Sequence, residues 1–600
     1  MRLLFIHSDF LEFEPVSRAI EGAEEVEKTG KRVEDCLVVF LAVEEGDGPD
    51  IGEAAAGEIR DVASRVGAER IVLYPFVHLT QEPADPDLAK TVLDDLEKRV
   101  KEEFEVVRAP FGWYKTFTLR CKGHPLAELS RKVVPSPRRG MKKEFAVLTP
   151  DGRILKPEEV GDEFGEDFRI LVEKEALGKE SPGGGEPEYI RYCKKFGIDW
   201  EPMSDVGHMR FNPVGNFLFE AVSEYSWKLA ESLGIHVYRV RGTNLFSLKE
   251  KPVREHAELF GDRLYQMKVG SKNFVFRYAA CHQQFSILSS WGISHRHLPF
   301  GVFEVADAYR YEQSGELLLC FRTRKLHMPD LHVLCRDLDE AREWFLRLHE
   351  KIYGEIRKLG RDYVSLYNLT SREFFEKNRE FFSKLVELEG KPVLLCFYPE
   401  DANFYWILNI EYHIIDSMGR PREIGTVQID VGNAERFGIK FADRDSRQKH
   451  PVILHTAIIG TVERYLYTVF DTVLRERNPV LPLWLSPVQV RLCPVNDSFL
   501  GFCEEIARRL AESGVRADID DRKESVQKKI RNAETDWVPF TVVVGEKERK
   551  SGRLSVRFRK TGEVREMTED ELVRMIKSET EGYPFKPLPL PVRLSERPKF

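Results

Sequence analysis

The stretch Val302–Cys335 concentrates side chains that could do chemistry, because it holds arginines, carboxylates and a histidine within a short span. Apolar and β-branched runs at Phe303–Tyr311 and Leu317–Thr323 flank the turn-forming sequence Gln313–Glu316 and predict an antiparallel hairpin. Three arginines hold positions of like parity in these runs: Arg310, Arg322 and Arg324. Guanidinium groups on one face suit phosphate or carboxylate oxygens. The pattern indicates an anion site, while a solvated charged face stays open as the alternative.

Length and composition predict a multidomain globular protein. The 600 residues exceed what one core organises, so about three or four domains are expected. A hydrophobic fraction of 42% and a charged fraction of 32% provide ample core material. The net charge of -8 neither requires nor excludes a nucleic-acid partner, because a large acidic protein can be locally basic.

The cysteines indicate a reducing compartment. There are nine, an odd count with no C-x-x-C pair, which argues against a disulfide framework. The sequence has no apolar run of about 18 residues, and its first residues do not form a signal-peptide core. We therefore expect a cytoplasmic protein that does not cross a membrane.

The order of strands and helices predicts several domains. Residues 1–145 alternate as a compact α/β unit with polar residues at element ends: His78, Tyr114, Lys115 and Glu128. Residues 146–195 contain a charged stretch and a glycine–proline run and are expected to be a linker. Residues 196–478 are expected to form a large α+β domain, 479–585 a small α/β domain and 586–600 a proline-rich tail, either an extended strap or disordered.

Four segments of the first domain carry a family resemblance. IHSD, PFVHL, APFGWYK and CKGHPLAELS resemble the N-terminal editing domain of archaeal threonyl-tRNA synthetases, a domain similar to D-aminoacyl-tRNA deacylases. The resemblance implies a pocket that hydrolyses serine wrongly attached to threonine tRNA. Its residues would be His78, Tyr114, Lys115 and Glu128, with Lys115 as the catalytic candidate acting mainly through electrostatics.

The rest of the chain resembles the same family. YRYEQSGELLLCFRTR…PDLH, AACHQQF and HTAIIGTVER are similar to motif 2, the zinc-ligand segment and motif 3, and the helix and strand over 216–240 resemble motif 1, which forms the dimer interface in class II enzymes. The implied fold is an α+β multidomain protein. It would combine a class II antiparallel-sheet catalytic core with the deacylase-like α/β editing domain and a C-terminal α/β anticodon-binding domain.

The resemblance implies a metal site that spacing alone could not reveal. Cys281, His332 and His455 fall on the family's zinc ligands, one Zn²⁺ per subunit, and leave a coordination position free for substrate. Threonine would bind through its amino and hydroxyl groups, with Asp330 accepting from the amino group. A site that demands a hydroxyl rejects valine strongly but separates serine by only about 10–200-fold, so a hydrolytic second site is needed.

The resemblance also implies an ATP site. Arg310 would bridge the threonine carboxylate and the α-phosphate, Arg464 would hold the γ-phosphate, and Mg²⁺ would accompany ATP. The remaining candidates are Glu312 on adenine, Arg322 and Gln428. Leu326 stands where bacterial-type members carry an aromatic residue that stacks on adenine.

The C-terminal segment is basic between residues 546 and 560, which suits RNA phosphates, although a solvated edge stays open. By resemblance, Glu548 and Arg557 would contact the anticodon. The function implied is ATP-dependent ligation of L-threonine to threonine tRNA through threonyl-adenylate, by a homodimer that edits serine. The alternative is a non-ligating tRNA-binding or editing paralogue with a degenerate synthetase body.

Overall fold

The computed structural model describes residues 1–45, 47–48, 51–80, 82–124, 127–133, 143–179, 185–258, 260–261, 263–399 and 404–599. The chain divides into two compact units, Met1–Met141 and Lys142–Phe600. Among the described residues, no helix combines the length and apolar character needed to cross a membrane.

The first unit is a sheet with two helices on one face. Its strand order is β4-β3-β2-β1-β5, and β6 also pairs with β1. Helices α1 and α2 bury their apolar sides against one face, and α2 begins at Pro86 with the Asp85 carboxylate accepting from the Asp87 amide. The elements are β1 (Arg2–Arg18), β2 (Lys31–Ala42), α1 (Ile51–Val66), β3 (Arg70–Pro75), α2 (Pro86–Val100), β4 (Glu105–Arg108), β5 (Trp113–Cys121) and β6 (Glu128–Lys132).

The expected linker over 146–195 is wrong over much of its length. Residues 144–148 form strand β7, which pairs with β19 in the sheet of the second unit, and Ala146 and Leu148 enter its core. Backbone pairing with β19 and burial of these apolar side chains hold the segment in the sheet, so it does not act as a linker. Helices α3 and α4 follow. Part of the glycine–proline run, residues 180–184, lies outside the described residues.

The second unit is centred on a sheet that has ten strands in the described part of the chain, in the order β11-β16-β17-β24-β21-β20-β18-β19-β7-β8. Helices α4, α5, α8, α10 and α12 cover one face with apolar side chains. The strands up to residue 478 are β7 (Glu144–Leu148), β8 (Ile154–Leu155), β9 (Ile198–Trp200), β10 (Met209–Phe211), β11 (Val237–Arg239), β12 (Leu245–Ser247), β13 (Gln266–Val269), β14 (Lys272–Phe276), β15 (Ile293–Ser294), β16 (Phe300–Tyr309), β17 (Lys325–Cys335), β18 (Val364–Leu369), β19 (Val393–Phe397), β20 (Trp406–Ile415), β21 (Pro421–Asp430), β22 (Phe441–Ala442), β23 (Gln448–Lys449) and β24 (Val452–Thr456). The helices are α3 (Glu166–Glu175), α4 (Glu188–Lys195), α5 (Pro213–Glu231), α6 (Lys251–Glu258), α7 (Cys281–Leu288), α8 (Leu338–Lys358), α9 (Arg372–Lys377), α10 (Arg379–Glu389), α11 (Asn433–Arg436) and α12 (Val462–Val473).

The predicted hairpin exists, but its second strand was predicted in the wrong place. Strand β16 pairs antiparallel with β17, beginning where Tyr309 lies opposite Lys325. The apolar run Leu317–Thr323 instead forms a tight turn, in which Leu318 and Arg322 exchange backbone hydrogen bonds. Leu319, Cys320 and Phe321 are buried by tertiary packing, so their hydrophobicity does not require a strand.

A smaller sheet of five strands, counted over the described residues, follows Pro479 in the order β26-β25-β27-β28-β29. Its elements are β25 (Val490–Pro494), α13 (Leu500–Glu512), β26 (Ala517–Ile519), α14 (Val526–Thr535), β27 (Phe540–Val544), α15 (Glu546–Ser551), β28 (Leu554–Phe558), β29 (Val564–Met567) and α16 (Glu569–Thr580). The tail follows the strap alternative over its described part, because the Ile519 amide donates to Val592 O and Arg597 pairs with Asp518 at 2.9 Å.

Candidate functional site

A cavity of about 150 Å³ lies against the ten-stranded sheet. Six of the residues singled out in the sequence line it: Cys281, Arg310, Asp330, Gln428, His455 and Arg464. They come from strands and helices spread over almost 200 residues, so the fold is what assembles them. His332 lies directly beside His455 and is fully buried.

Strand register explains how the polar residues meet. His332 on β17 lies opposite His455 on β24, and His455 lies opposite Gln428 on β21. Directly opposed residues of antiparallel strands project from the same face. Their chain neighbours project to the other face and join the helix-covered core: Leu331, Val333, Val427, Ile429 and Leu454.

Each of the two histidines has a hydrogen-bond acceptor at its outer nitrogen. His332 Nδ1 lies 2.8 Å from Gln284 Oε1, and His455 Nε2 lies 2.7 Å from Asp430 Oδ2. The Gln284 amide nitrogen donates to Asp330 O at 3.0 Å, which leaves its oxygen as the acceptor, and a carboxylate can only accept. In its neutral form each ring therefore carries its proton on the outer nitrogen. The inner nitrogens, His332 Nε2 and His455 Nδ1, face each other 3.1 Å apart with their lone pairs.

The Cys281 sulfur completes a donor set that fits a metal ion. It is the first residue of α7, and its Sγ lies with one nitrogen of each histidine in a group whose atoms are within 4.8 Å of one another. Two lone pairs directed at each other repel unless a proton or a cation lies between them. One thiolate and two imidazoles are ligands that Zn²⁺ prefers, and three protein ligands leave a fourth position open.

Asp330 borders the donor set and lines the cavity. Burial raises the pKa of its carboxyl group to about 7, although nearby His455 and Arg277 act in the opposite direction. A positively charged group bound beside Asp330 would stabilise its ionised form, as the amino group of an amino acid would.

Two arginines form the opposite part of the cavity. Arg310 donates from Nε to Tyr278 O at 3.1 Å, and burial followed by repulsion from Arg464 lowers its pKa. Arg464 donates to Glu423 Oε1 at 3.1 Å. Two guanidinium groups so placed are suited to a multiply charged anion, which would relieve their repulsion.

The start of α12 fixes the position of Arg464. The Thr461 hydroxyl caps the helix by accepting from the Arg464 amide at 3.0 Å. Gly460 precedes it with φ of +74°, and a Cβ there would lie 2.2 Å from Ile424 O. Only glycine fits that turn, so the sequence GTVER determines where the guanidinium projects.

The other two arginines of Val302–Cys335, Arg322 and Arg324, make contacts that differ from the predicted ones. Arg324 is buried and pairs with Asp205 at 2.7 and 2.8 Å, so the predicted convergence of three arginines is wrong for this residue. Arg322 contacts Glu316 at 3.1 Å and lies 3.6 Å from Glu312. Neither Arg322 nor Glu312 lines the cavity.

His327 follows Leu326 and binds two carboxylates. Its Nε2 lies 3.1 Å from Asp307 and its Nδ1 lies 2.5 Å from Glu463 at the start of α12. Burial lowers the pKa of His327, but Glu463 and Asp307 outweigh this effect and raise it to about 9. The imidazolium thus connects β17 to the helix that carries Arg464. Neither Leu326 nor His327 lines the cavity.

The first unit has its own cavity of about 420 Å³. His78, Tyr114 and Lys115 line it, together with aromatic residues that the sequence did not single out: Tyr74, Phe76, Phe111, Trp113 and Phe117. Lys115 Nζ donates to Pro110 O at 3.0 Å and to Trp113 O at 3.1 Å. Burial lowers the pKa of Lys115 to about 8.

The structure contradicts the placement of Glu128 in this pocket. Glu128 pairs with Ile6 near the start of β1, whereas Lys115 pairs with Pro15 further along the same strand. At about 3.3 Å per residue, nine residues separate the two sites by roughly 30 Å. Glu128 does not line the cavity.

Both anticodon candidates lie in the small sheet domain. Glu548 is buried, and its carboxylate accepts from the Gly545 amide at 3.1 Å and from the Ser555 hydroxyl at 2.8 Å. Arg557 is on β28 and is half-buried. Arg559 donates to Pro479 O at 2.7 Å, which withdraws it from the basic surface.

Comparison with known proteins agrees with this architecture. Residues 265–473 match the tRNA synthetase class II core domain (G, H, P, S and T), and residues 489–579 match the anticodon binding domain. Residues 1–133 match the archaea-specific editing domain of threonyl-tRNA synthetase. The RNA binding domain of threonyl-tRNA synthetase from Cryptosporidium parvum aligns with a TM-score of 0.59 at 20% identity, covering 66% of this chain and 99% of that one, which shows the fold alone.

The ten-stranded sheet and the core-domain match define a class II aminoacyl-tRNA synthetase. Threonine–tRNA ligase from Thermofilum pendens is 54% identical over 100% of both chains, and that from Staphylothermus marinus is 50% identical over 100% of this chain and 99% of its own. The chain belongs to the threonine–tRNA ligase family, and its first unit is the archaea-specific editing domain.

Sequence reasoning missed several residues of the core site. Gln284 lies three positions after Cys281, on the same side of α7, and Asp430 lies two positions after Gln428, on the same face of β21. These helix and strand spacings could have indicated Gln284 and Asp430 from the sequence. Glu423 and Tyr405 also line the cavity, but no spacing indicated them.

Proposed function

We propose that the second unit activates L-threonine with ATP and transfers it to threonine tRNA. The observation that carries this proposal is the site itself, in which the facing imidazole nitrogens of two histidines and a thiol lie beside a cavity that two arginines also line. The imidazoles and the thiol suit an amino alcohol, and the arginines suit a polyphosphate. The full-length identity to threonine–tRNA ligases argues against a non-ligating paralogue.

Each side chain has a separate task in this proposal. Cys281, His332 and His455 would hold one Zn²⁺, which supplies a Lewis-acid position for the amino and hydroxyl groups of threonine. Asp330 accepts from the amino group, and Gln428 helps to position the substrate.

Arg310 bridges the carboxylate and the α-phosphate, holding them for in-line attack, and Arg464 binds the γ-phosphate. Mg²⁺ accompanies ATP.

Editing by the first unit complements this chemistry. A hydroxyl-demanding site cannot strongly reject serine, which lacks only a methyl group worth about 1–3 kcal/mol. We propose that the 420 Å³ cavity with His78, Tyr114 and Lys115 hydrolyses seryl-tRNA. Lys115 is the catalytic candidate, because two backbone carbonyls hold its ammonium group in place.

The remaining assignments are proposals of the same kind. Arg557 is the stronger candidate for RNA contact, because the Glu548 carboxylate is already engaged within the protein. Homodimerisation through the motif 1 region is supported by β11, an edge strand of the sheet on which Tyr238 is half exposed. Nine free thiols support a reducing compartment, the cytoplasm.

Amino-acid-dependent pyrophosphate exchange tests the synthetic function. We expect exchange with threonine, exchange about 10–200-fold weaker with serine, exchange with valine weaker by about 10⁴-fold or more, and one zinc ion per chain by metal analysis. No exchange with threonine, or full activity in zinc-free protein, would overturn the proposal.

The pH dependence of seryl-tRNA hydrolysis tests Lys115. If its ammonium group stabilises developing negative charge, enzyme-dependent hydrolysis should fall as pH rises through about 8, where this group loses its proton. Lys115→Ala should reduce hydrolysis by about 10²-fold at pH 7, and Lys115→Arg should move the fall to higher pH.

Spontaneous hydrolysis is measured without enzyme and subtracted at each pH. Lys122→Ala is the matched control, since Lys122 pairs with Asp9 and Asp35 and does not line the cavity. Activity that instead rises through pH 8 would show that the neutral amine acts as a base and contradict the electrostatic role.

A further inference from the structure

We propose that Gln284 and Asp430 are positioning residues that keep the inner nitrogens of His332 and His455 unprotonated and directed at the metal position. The proposal rests on the metal site of the proposed function. It assigns to these two acceptors a role in metal affinity, beyond that of the three ligands.

Gln284 connects three parts of the site. It lies on α7, one turn after Cys281, and its Oε1 is 2.8 Å from His332 Nδ1. Its Nε2 donates to Asp330 O at 3.0 Å, which fixes which end of the amide faces the histidine. The side chain is fully buried, so no water competes for His332. His332 is thereby held as the tautomer with its proton on Nδ1.

Asp430 holds the second ring in the same way. Its Oδ1 accepts from the Gly432 and Asn433 amides at 2.8 Å, and its Oδ2 accepts from Asn433 Nδ2 at 2.8 Å and lies 2.7 Å from His455 Nε2. These bonds fix the carboxylate before any ligand arrives. His455 is thereby held as the tautomer with its proton on Nε2.

Gln284 and Asp430 oppose a direct hydrogen bond between the two histidines. With His332 Nε2 and His455 Nδ1 only 3.1 Å apart, a change of tautomer in either ring would place a proton between them and form an ordinary hydrogen bond. That bond would occupy both lone pairs and compete with the metal. Outer-shell partners of metal-binding histidines typically contribute about 10–100-fold to affinity, which is the range expected here.

Zinc affinity, measured by competition with a chromophoric chelator, tests the proposal without reference to catalysis. Gln284→Leu removes the acceptor and should weaken zinc binding by about 10–100-fold. Gln284→Glu keeps an oxygen at His332 Nδ1, and with a proton on its other oxygen it still donates to Asp330 O, so it should retain more zinc affinity than Gln284→Leu. Gln283→Leu is the matched control, because Gln283 is on the same helix but accepts from the Thr243 amide instead.

Asp430→Asn tests the second ring more specifically. Because both carboxylate oxygens accept hydrogen bonds, the asparagine must present an N–H group either to the backbone amides or to His455, and in the latter case it favours the wrong tautomer. We expect weaker zinc binding and an altered visible spectrum of the Co²⁺-substituted protein. Asp416→Asn is the control, since Asp416 is also buried and accepts from two backbone amides but contacts no histidine.

The outcomes distinguish failure of the proposed positioning role from failure of the proposed metal site. If the unmodified chain binds no zinc, or if Cys281→Ser leaves binding unchanged, the proposed metal site fails. If zinc binding depends on Cys281 but Gln284→Leu and Asp430→Asn bind as tightly as their controls, the positioning role is overturned. Thermal unfolding of the metal-free variants identifies loss of fold; should Gln284→Leu unfold, Gln284→Met, which has a similar length and also lacks the acceptor oxygen, takes its place, and normal zinc affinity in that variant overturns the proposal.

Discussion

Alanine at Arg310 should reduce threonine-dependent pyrophosphate exchange by about 10²–10³-fold, the effect of removing one preorganised charge from a site where negative charge develops. Arg310 lines the cavity and is held by the Tyr278 carbonyl, so its guanidinium is in position before substrate binds. Its repulsion with Arg464 means that the free site is electrostatically unfavourable until an anion arrives. The loss should therefore appear mainly in kcat.

Arg322→Ala is the matched control for this prediction. Arg322 comes from the same stretch, but it is partly exposed, pairs with Glu316 and does not line the cavity. We expect a loss below about tenfold, since exposed ion pairs contribute about 0–1 kcal/mol. Equal losses in the two variants would contradict the assignment of Arg310 as the residue that contacts the reacting groups.

Alanine at Cys281 should reduce the discrimination between threonine and valine to about 10²-fold. A site that binds the substrate hydroxyl separates the two by about 10⁴–10⁵-fold, whereas a pocket of similar shape without that ligand reaches about 10²-fold. Removing one of three metal ligands should therefore lower kcat/KM for threonine by about 10²–10³-fold and leave the residual activity with valine nearly unchanged. Pyrophosphate exchange with each amino acid, alongside zinc content, measures both effects.

Cys335→Ala controls for the loss of a buried thiol. Cys335 is on β17, three residues after His332, and is fully buried without contributing to the metal-binding group. It should cost stability but retain zinc and valine rejection. If Cys281→Ala kept its threonine preference, the hydroxyl would be recognised by other groups and the metal-based account of specificity would be wrong.

The motif resemblance predicted the family and most of the site, but it could not predict contacts. Arg310 and Arg324 have the same residue type and strand parity, yet Arg310 lines the cavity and Arg324 pairs with Asp205 from a distant segment. Nothing within Val302–Cys335 distinguishes the two, because the partner comes from elsewhere in the chain. Glu128 was misplaced for a related reason, since proximity in sequence to Lys115 gave no measure of distance along β1.

The expected linker over 146–195 shows that local sequence can also fail to predict a secondary-structure element. The sequence EFAVL is short and lies between charged segments, so local pattern alone did not identify a strand. It becomes β7 only because β19 offers an edge and an apolar surface for Ala146 and Leu148. Strand formation at such positions depends on tertiary context more than on intrinsic propensity.

By itself, the sequence determined the domain classes, the family and the identity of the proposed metal ligands, because these depend on motif order and residue type. Only the tertiary structure showed which acceptors lie at the outer nitrogens of His332 and His455, and with it the roles proposed for Gln284 and Asp430. The physical reason is that a histidine tautomer depends on which acceptor lies at each ring nitrogen. Those acceptors reach the rings through helix packing and strand register, which bring Gln284 to a ring 48 positions away and Asp430 to a ring 25 positions away.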